Sequence, residues 1–282
     1  MTLPNEPISY LLVDANKWAI HHAEIIVETP VSLTVNGEVW LTFMCTPVDL
    51  PALAVGFLYN EGVIQSTSAI ADVRLCPTGD NIDVWLNHSV EKPDNWRKTS
   101  GCTGGVTSIS PENLLAPSAL TQPHNGLLLD ARQVRELVSR LLISQDLYQK
   151  TGGVHTSVLT NHKGLNVMAE DIGRHNTLDK IAGKCLLDNL DPDPSILLTT
   201  GRVSSEMLQK AHRIGAEIVL SRTSPSSLSI ALAEKHGITL IGYASRERFR
   251  IYAHPERIVL PSMNDPAGIE IRLGQTSPSA SN

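Results

Sequence analysis

The chain has 282 residues, of which 41% are hydrophobic and 18% charged, and a formal net charge of −6. This is the composition of a soluble globular protein of one large or two ordinary domains. The acidic surplus argues against a general nucleic-acid binder, which is as a rule basic, and no apolar run approaches the roughly 18 residues of a membrane span. The first twenty residues carry Asp14 and Lys17 and lack the continuous apolar core of a secretory signal, so the expected compartment is the cytoplasm. Cys45, Cys76, Cys102 and Cys185 are scattered, with neither a disulfide framework nor a C-x-x-C metal knuckle.

Residues 1–23 read as a mixed, peripheral stretch in which His21-His22 is an exposed polar pair. From Glu24 the pattern turns to β. Ile25, Val27, Val31, Leu33 and Val35 lead into Asn36-Gly37, and Val39, Leu41 and Phe43 follow. Asn-Gly between apolar runs signals a tight hairpin, because both residues tolerate positive φ. Asp49 to Glu61 reads as a helix with Pro51 near its first turn and Gly62 beyond its end. A second strand pair spans Val73–Cys76 and Ile82–Leu86 around Gly79-Asp80. Cys45 and Cys76 read as structural.

Residues 97–105 (Arg-Lys-Thr-Ser-Gly-Cys-Thr-Gly-Gly) have no periodicity and surround Cys102 with small residues. Glycines let a loop move and let a partner approach its backbone closely. The upstream Arg97 and Lys98 could favour a thiolate, the reactive form; the same composition also fits an ordinary Gly-rich turn holding an incidental cysteine. Pro111, Pro117, Pro123 and Gly126 then mark a linker over 111–129.

An amphipathic helix follows, with Val134, Leu137, Val138, Leu141 and Leu142 on one face and Gly152-Gly153 at its end. Val154–Thr160 and Leu165–Asp171 predict a hairpin. Strands and helices then alternate: a helix from Asn176 with Asp179 in its first turn, a strand over Ile196–Thr200, a helix from Ser204, and a strand over Ile218–Ser221. A helix capped by Ser224 with Pro225 at its first position comes next, then strands over Ile238–Tyr243 and Phe249–Ala253. Such alternation predicts a mostly parallel sheet covered by helices. The tail from Gln275 is Ser/Pro-rich and expected to be disordered.

Polar residues gather where these strands end and helices begin: Gly173-Arg174-His175-Asn176, Thr200-Gly201-Arg202, Ser221-Arg222-Thr223, and Ser245-Arg246-Glu247-Arg248. Ligands of open α/β sheets bind outside the carboxyl ends of the strands. Helix N-termini and arginines there suit an anionic, phosphate-bearing ligand. Neither a Walker A loop nor G-x-G-x-x-G is present. The H-x-E and P-C-x-x-C ligands of a zinc deaminase are also missing. His175 beside Glu170 and Asp171 could serve as an acid–base group, orient a ligand, or belong to a structural ion network.

Glu170–Lys180 (EDIGRHNTLDK) resembles the signature of the FdhD family of sulfur carriers required for formate dehydrogenase. Similar to it are Gly152-Gly153-Val154-His155, Thr200–Met207, Tyr252–Arg257, Val35–Gly37, Cys45–Pro47 and Val55–Gly62, all in order. The resemblance implies an α/β (α+β overall) protein. Its parts would be a mainly β N-terminal domain over 24–110 carrying the cysteine loop, the linker over 111–129, a cytidine-deaminase-like three-layer cofactor-binding domain over 130–260, and a disordered tail over 275–282. It implies a sulfurtransferase with a cysteine persulfide intermediate on Cys102. Sulfur would come from a cysteine desulfurase and pass to molybdenum bis(molybdopterin guanine dinucleotide), bound as a substrate, before that cofactor enters formate dehydrogenase. No permanently bound metal and a homodimer are implied. Cofactor binding maps to Ala244, Ser245, Arg246, Glu247, Arg248 and Phe249. Arg174, His175, Asn176, Arg202 and Arg222 are expected to face the ligand, with Asp171, Asp179 and Lys180 holding the first junction in shape. The family's loop has the form C-x-x-C-G, and this chain departs from it with Gly105 at the second cysteine. That departure leaves an alternative, a cofactor-binding chaperone without sulfur chemistry.

Overall fold

The computed structural model describes residues 3–94, 96–98, 106–108, 127–161, 164, 166–192 and 195–260. Cys102, residues 111–126 of the predicted linker and the predicted tail lie outside them.

The chain begins as a regular two-stranded ribbon rather than a mixed stretch. Strand β1 (Asn5–Asp14) pairs antiparallel with β2 (Lys17–Ile26) in continuous register. Nearly all of the ribbon is exposed, including Leu11, Val13, Trp18 and Ile20. Alternation does not reveal these strands in the sequence because neither face is buried. The β-branched and aromatic content and the short Ala15-Asn16 turn were the available signals.

Next come β3 (Thr29–Val35), β4 (Glu38–Cys45), helix α1 (Leu50–Asn60), β5 (Ile70–Leu75) and β6 (Asn81–Leu86). They form a four-stranded sheet of order β4-β3-β6-β5. Asn36 and Gly37, both at positive φ, make the predicted turn. One face of the sheet meets α1 through Val31, Leu33, Ile82 and Val84 against Leu53, Phe57 and Leu58. Cys45 is buried in this core, where desolvation pushes its thiol up to about 12. Two short strands follow, β7 (Arg97–Lys98) and β8 (Val106–Thr107), paired antiparallel.

In the second half, β9 (Leu129–Asp130) leads into α2 (Ala131–Ile143). Asp130 and Gln133 form a reciprocal capping box, each side chain bonding the other's backbone N–H at 2.7 Å. The predicted single helix breaks after Ile143, and α3 (Asp146–Thr151) is a separate turn and a half ended by Gly152 at φ +67°. After it come β10 (His155–Thr160), β11 (Asn166–Asp171), α4 (Arg174–Leu187), β12 (Ser195–Thr199), α5 (Ser205–Arg213), β13 (Ala216–Ser221), α6 (Ser227–His236), β14 (Thr239–Gly242), β15 (Arg250–Ala253) and β16 (Ile258–Val259). The last of these pairs in parallel with β9.

The larger sheet has the order β11-β10-β12-β13-β14-β15. It is mixed, which corrects the expectation of a mostly parallel sheet. Only β12–β13 and β13–β14 pair in parallel, while β10 is antiparallel to both neighbours and β15 antiparallel to β14. Parallel pairing needs a crossover helix, and here hairpin-type returns make up both ends of the sheet. Val158, Leu198, Leu220 and Ile241 face α2 on one side. Leu159, Leu197, Val219 and Leu240 face α4, α5 and α6 on the other. Helix α6 starts at Ser227, capped by Ser226 and Ser229, rather than at Pro225. A parallel bridge between Val203 and Pro225 holds residues 224–226 extended, with Ser224 O accepting from Val203 N and Ser226 N donating to Val203 O.

The two sheets are joined through their helices. Helix α1 lies antiparallel along α4, with Ala52 at Gly183 and Asn60 at Asp179. A Cβ on Gly56 would overlap the Asp179 carbonyl, and one on Gly183 would overlap the Ala52 carbonyl. Backbone touches backbone there, a proximity that only glycine permits. Gly183→Ala is expected to cost roughly 3 kcal/mol or more, the upper end of overpacking, since backbone cannot step aside as a side chain does. Urea denaturation checks it, and a cost below about 1 kcal/mol would contradict the close crossing.

Candidate functional site

Strand β10 runs opposite to both β11 and β12, and β12, β13 and β14 run together, so β11, β12, β13 and β14 all point one way. Their carboxyl ends, and the starts of α4 and α5, therefore share one edge of the sheet. The amino end of β10 arrives at the same edge through Gly152–Val154. Neighbouring loops are bonded in sequence along it. Thr156 N donates to Thr200 Oγ1 (3.0 Å) and Thr200 N to Thr156 O (3.0 Å). Arg222 N donates to Thr199 O (3.1 Å), Ala244 N to Ser221 O (3.0 Å) and Tyr243 N to Thr223 O (3.0 Å).

A cavity of about 460 Å³ opens at this edge between α3, the start of β10 and the loops after β12 and β13. Tyr148, Gly153, His155, Thr200, Arg222 and Thr223 are among its walls. Gly153 is required here, since a Cβ would crowd Ile26 of the ribbon. His155 Nδ1 sits 3.4 Å from Thr200 Oγ1. Burial lowers the pKa of His155, Arg174 and Arg202 lower it further, and Asp171 opposes them. The ring is thus mainly neutral near pH 7, while Arg222 supplies an exposed guanidinium. Helix N-termini and arginines along one edge make an anion-attracting rim.

The predicted site residues divide sharply. Arg202 and Arg222 are exposed at the rim. Arg174, His175 and Asn176 are buried. Arg174 lies over Gly201, where a Cβ would crowd it. Asn176 spends both amide hydrogens inside the protein, on Met44 O (3.0 Å) and Asp171 Oδ1 (2.9 Å). Ala244 is buried and bonded to Ser221. Ser245 closes a tight turn with Arg248, which leaves Arg246, Glu247 and Arg248 exposed and Phe249 packed on the core below. Cys102 lies outside the described residues. Tyr148, His155, Thr200 and Thr223 were not among the predicted ligand groups. The Gly-Gly-x-His sequence ahead of β10 was the signal that could have found His155.

Residues 26–259 match the family described as FdhD/NarQ. The chain belongs to that family. A protein named "Sulfur carrier protein FdhD" from Shouchella clausii (strain KSM-K16) is 33% identical over 239 residues, covering 83% of this chain and 90% of its own. A protein of the same name from Staphylococcus aureus (strain MRSA252) is 32% identical over 239 residues, covering 84% and 89%. A crystal structure assigned to a formate dehydrogenase accessory protein from Desulfotalea psychrophila superposes with a TM-score of 0.75 at 32% identity, covering 91% of this chain and all of the other. The FdhD/NarQ match begins at the last residue of β2 and so leaves out nearly all of the ribbon.

What holds this edge of the FdhD/NarQ fold in shape is a fully buried ion pair, Lys180 Nζ to Asp171 Oδ2 at 2.6 Å. Both groups are also satisfied by hydrogen bonds. Lys180 donates to Thr46 O (3.1 Å) and Glu170 O (3.3 Å). Asp171 accepts from Thr46 N (3.1 Å), Gly173 N (2.7 Å) and Asn176. The pair thereby ties β4, β11 and α4 together. At the adjacent position of α4, Asp179 accepts from Lys210 (2.6 and 2.8 Å) and Asn60 (2.7 Å). Burial pushes the Asp179 carboxyl up, and Lys210 and Asn60 pull it back. Asp179 is therefore a second-turn structural acid rather than a helix-dipole charge in the first turn. Among the described residues no group of three or more His, Cys, Asp or Glu could hold a metal ion, and no helix is long and apolar enough to cross a membrane.

Lys180→Met strands a buried carboxylate and is expected to cost about 3–5 kcal/mol of stability, with part recovered in Asp171→Leu/Lys180→Met, where both charges are gone. Urea unfolding of the single and double variants measures both. Burial, then Lys210, Arg174 and His155, hold His175 well below the usual histidine range. Unfolding frees this ring to bind a proton, so its contribution to stability is present above about pH 6.5 and falls as pH drops toward its folded value. Imidazole carbon shifts followed by NMR should show His175 still neutral at pH 6. A ring that titrates near 6.5 would refute this.

Proposed function

We propose that the chain is a sulfur carrier serving formate dehydrogenase. The observation that carries this reading is the 33% identity, over nearly the full length of both chains, to a protein named as such. The similar fold of a formate dehydrogenase accessory protein adds weight. Cys102 is the acceptor in this reading. It is the middle residue of the seven that separate β7 from β8, flanked by Gly101, Gly104 and Gly105. The other three cysteines are poorly suited. Cys45 and Cys185 are buried, with thiols pushed up to about 12 and about 11, and Cys76 is engaged by Asp80 and Asn81.

In the first step the Cys102 thiolate attacks the terminal sulfur of a cysteine desulfurase persulfide. The new bond joins Cys102 Sγ to that sulfur, and the desulfurase cysteine leaves as a thiolate, so no net oxidation occurs. The recipient is the molybdenum bis-guanine-dinucleotide cofactor, bound as a substrate at the arginine-bearing edge. A cavity of about 460 Å³ suits one guanosine-phosphate end, being within the roughly 300–1,000 Å³ usual for small-molecule pockets. The remainder would lie along the open rim past Arg202, Arg222 and the turn at 245–248. The protein works in the cytoplasm, where thiols stay reduced. Gly105, in place of a second loop cysteine, favours one competing reading, cofactor delivery without sulfur chemistry.

Incubation with a desulfurase and cysteine should add about 32 Da, reversible by dithiothreitol, to the wild type and nothing to Cys102→Ala. Full support of formate dehydrogenase by Cys102→Ala would favour the delivery-only reading. Arg222→Ala should weaken GDP binding roughly tenfold or more, the worth of a charge-assisted hydrogen bond. An unchanged calorimetric affinity would move the anion site elsewhere.

A further inference from the structure

The pairing of β7 with β8 covers only two residue pairs. Such a stem cannot hold itself, since even complete two-stranded hairpins are marginal in water. Both of its feet rest on the last turn of α1. Upstream, Trp96 stacks on Phe57 with ring centroids 5.8 Å apart and also meets Trp40 at 6.5 Å. Downstream, one oxygen of Glu61 accepts three hydrogen bonds: from Ser108 N (2.7 Å), Ser108 Oγ (3.0 Å) and Thr107 Oγ1 (3.0 Å). Phe57 and Glu61 are four residues apart, one helical turn, so one apolar and one polar support stand on the same stretch of helix.

Glu61 is a costly residue to place there. It is only 8% exposed, and its Oε1 has no hydrogen-bond partner among the described residues. A neutral acceptor would avoid burying a charge. The charge is tolerated because Lys210 is close by, paired with Asp179 and lying 5.6 Å over the Phe57 ring. The same Lys210 lowers the pKa of His175 in the first turn of α4. Glu61, Asp179 and His175 thus all feel the charge of Lys210.

We infer that the last turn of α1 is the mount of the sulfur-bearing hairpin, with Glu61 and Trp96 as positioning residues that set where Cys102 is presented. This rests on Cys102 being the sulfur acceptor. It assigns a role to Glu61, which touches neither sulfur nor cofactor in the proposed chemistry.

Hydrogen exchange over residues 97–108, read by mass spectrometry, tests the mount directly. Glu61→Ala should raise exchange there by about tenfold or more while α4 keeps its protection. Glu61→Gln keeps an acceptor oxygen and should stay within roughly threefold of wild type. Persulfide loading of Cys102 by a desulfurase should follow the same order, slowed about tenfold in the alanine variant and restored by glutamine. If Glu61→Ala does not fold, Thr107→Val/Ser108→Ala removes two of the three bonds without touching α1 and decides the matter alone. Unchanged exchange over 97–108 in the variants would overturn the mount. Loosened exchange in a protein whose wild type never takes sulfur at Cys102 would uphold the mount and overturn the carrier reading instead.

Discussion

The contact on which the rest depends is the crossing of α1 and α4 at Gly56 and Gly183. Helices usually pack 8–10 Å apart because side chains intervene. Here the glycines let carbonyls of one helix enter the space of the other's missing Cβ. That proximity brings Asn60 to Asp179 and Thr46 to Asp171 and Lys180. It also puts the end of α1, on which Trp96 and Ser108 rest, beside the first half of α4, which starts at the candidate edge of the sheet.

Charge inside this interface serves position rather than affinity. Lys180, Asp171, Asp179 and Lys210 are all almost completely buried and paired. Buried pairs seldom add net stability over apolar packing. They do impose directional constraints that an apolar contact lacks. Asp171 alone gathers donors from β4, from the turn before α4 and from α4 itself. A first junction built this way is a rigid platform, and the exposed arginines sit further along the edge, at Arg202, Arg222 and the 245–248 turn.

The two chemistries proposed for this chain have different supports. In that proposal sulfur is carried by Cys102, between β7 and β8, whose flanking residues Trp96 and Ser108 rest on the end of α1, and the anionic cofactor is bound at the rim of the large sheet. In that proposal one thiol meets first a desulfurase and then a bulky cofactor, which separate supports allow.

Much of the fold was legible in the sequence because it rests on local rules. Asn36-Gly37 determined a turn, Pro51 and Gly62 bracketed α1, and the alternation after residue 154 located the strands and helices from β10 to β15 to within a few residues, while the two-residue β16 went unread. The motif blocks at 152–155, 170–180 and 200–207 fell on loops of one sheet edge. Tertiary structure alone decided what those loops do. Strand direction, and hence the mixed sheet, depends on which neighbour each strand finds, and periodicity carries no such information. The ribbon's alternation says nothing because neither face is buried. In the motif over residues 170–180, the sequence reading expects Asp171, Asp179 and Lys180 to hold the junction in shape and Arg174, His175 and Asn176 to face a ligand. Only the tertiary structure, through the approach of α1 and β4, shows that these last three are buried as well. Glu61 falls within the motif block Val55–Gly62, but its contact with Ser108, 47 residues later in the chain, is visible only in the tertiary structure.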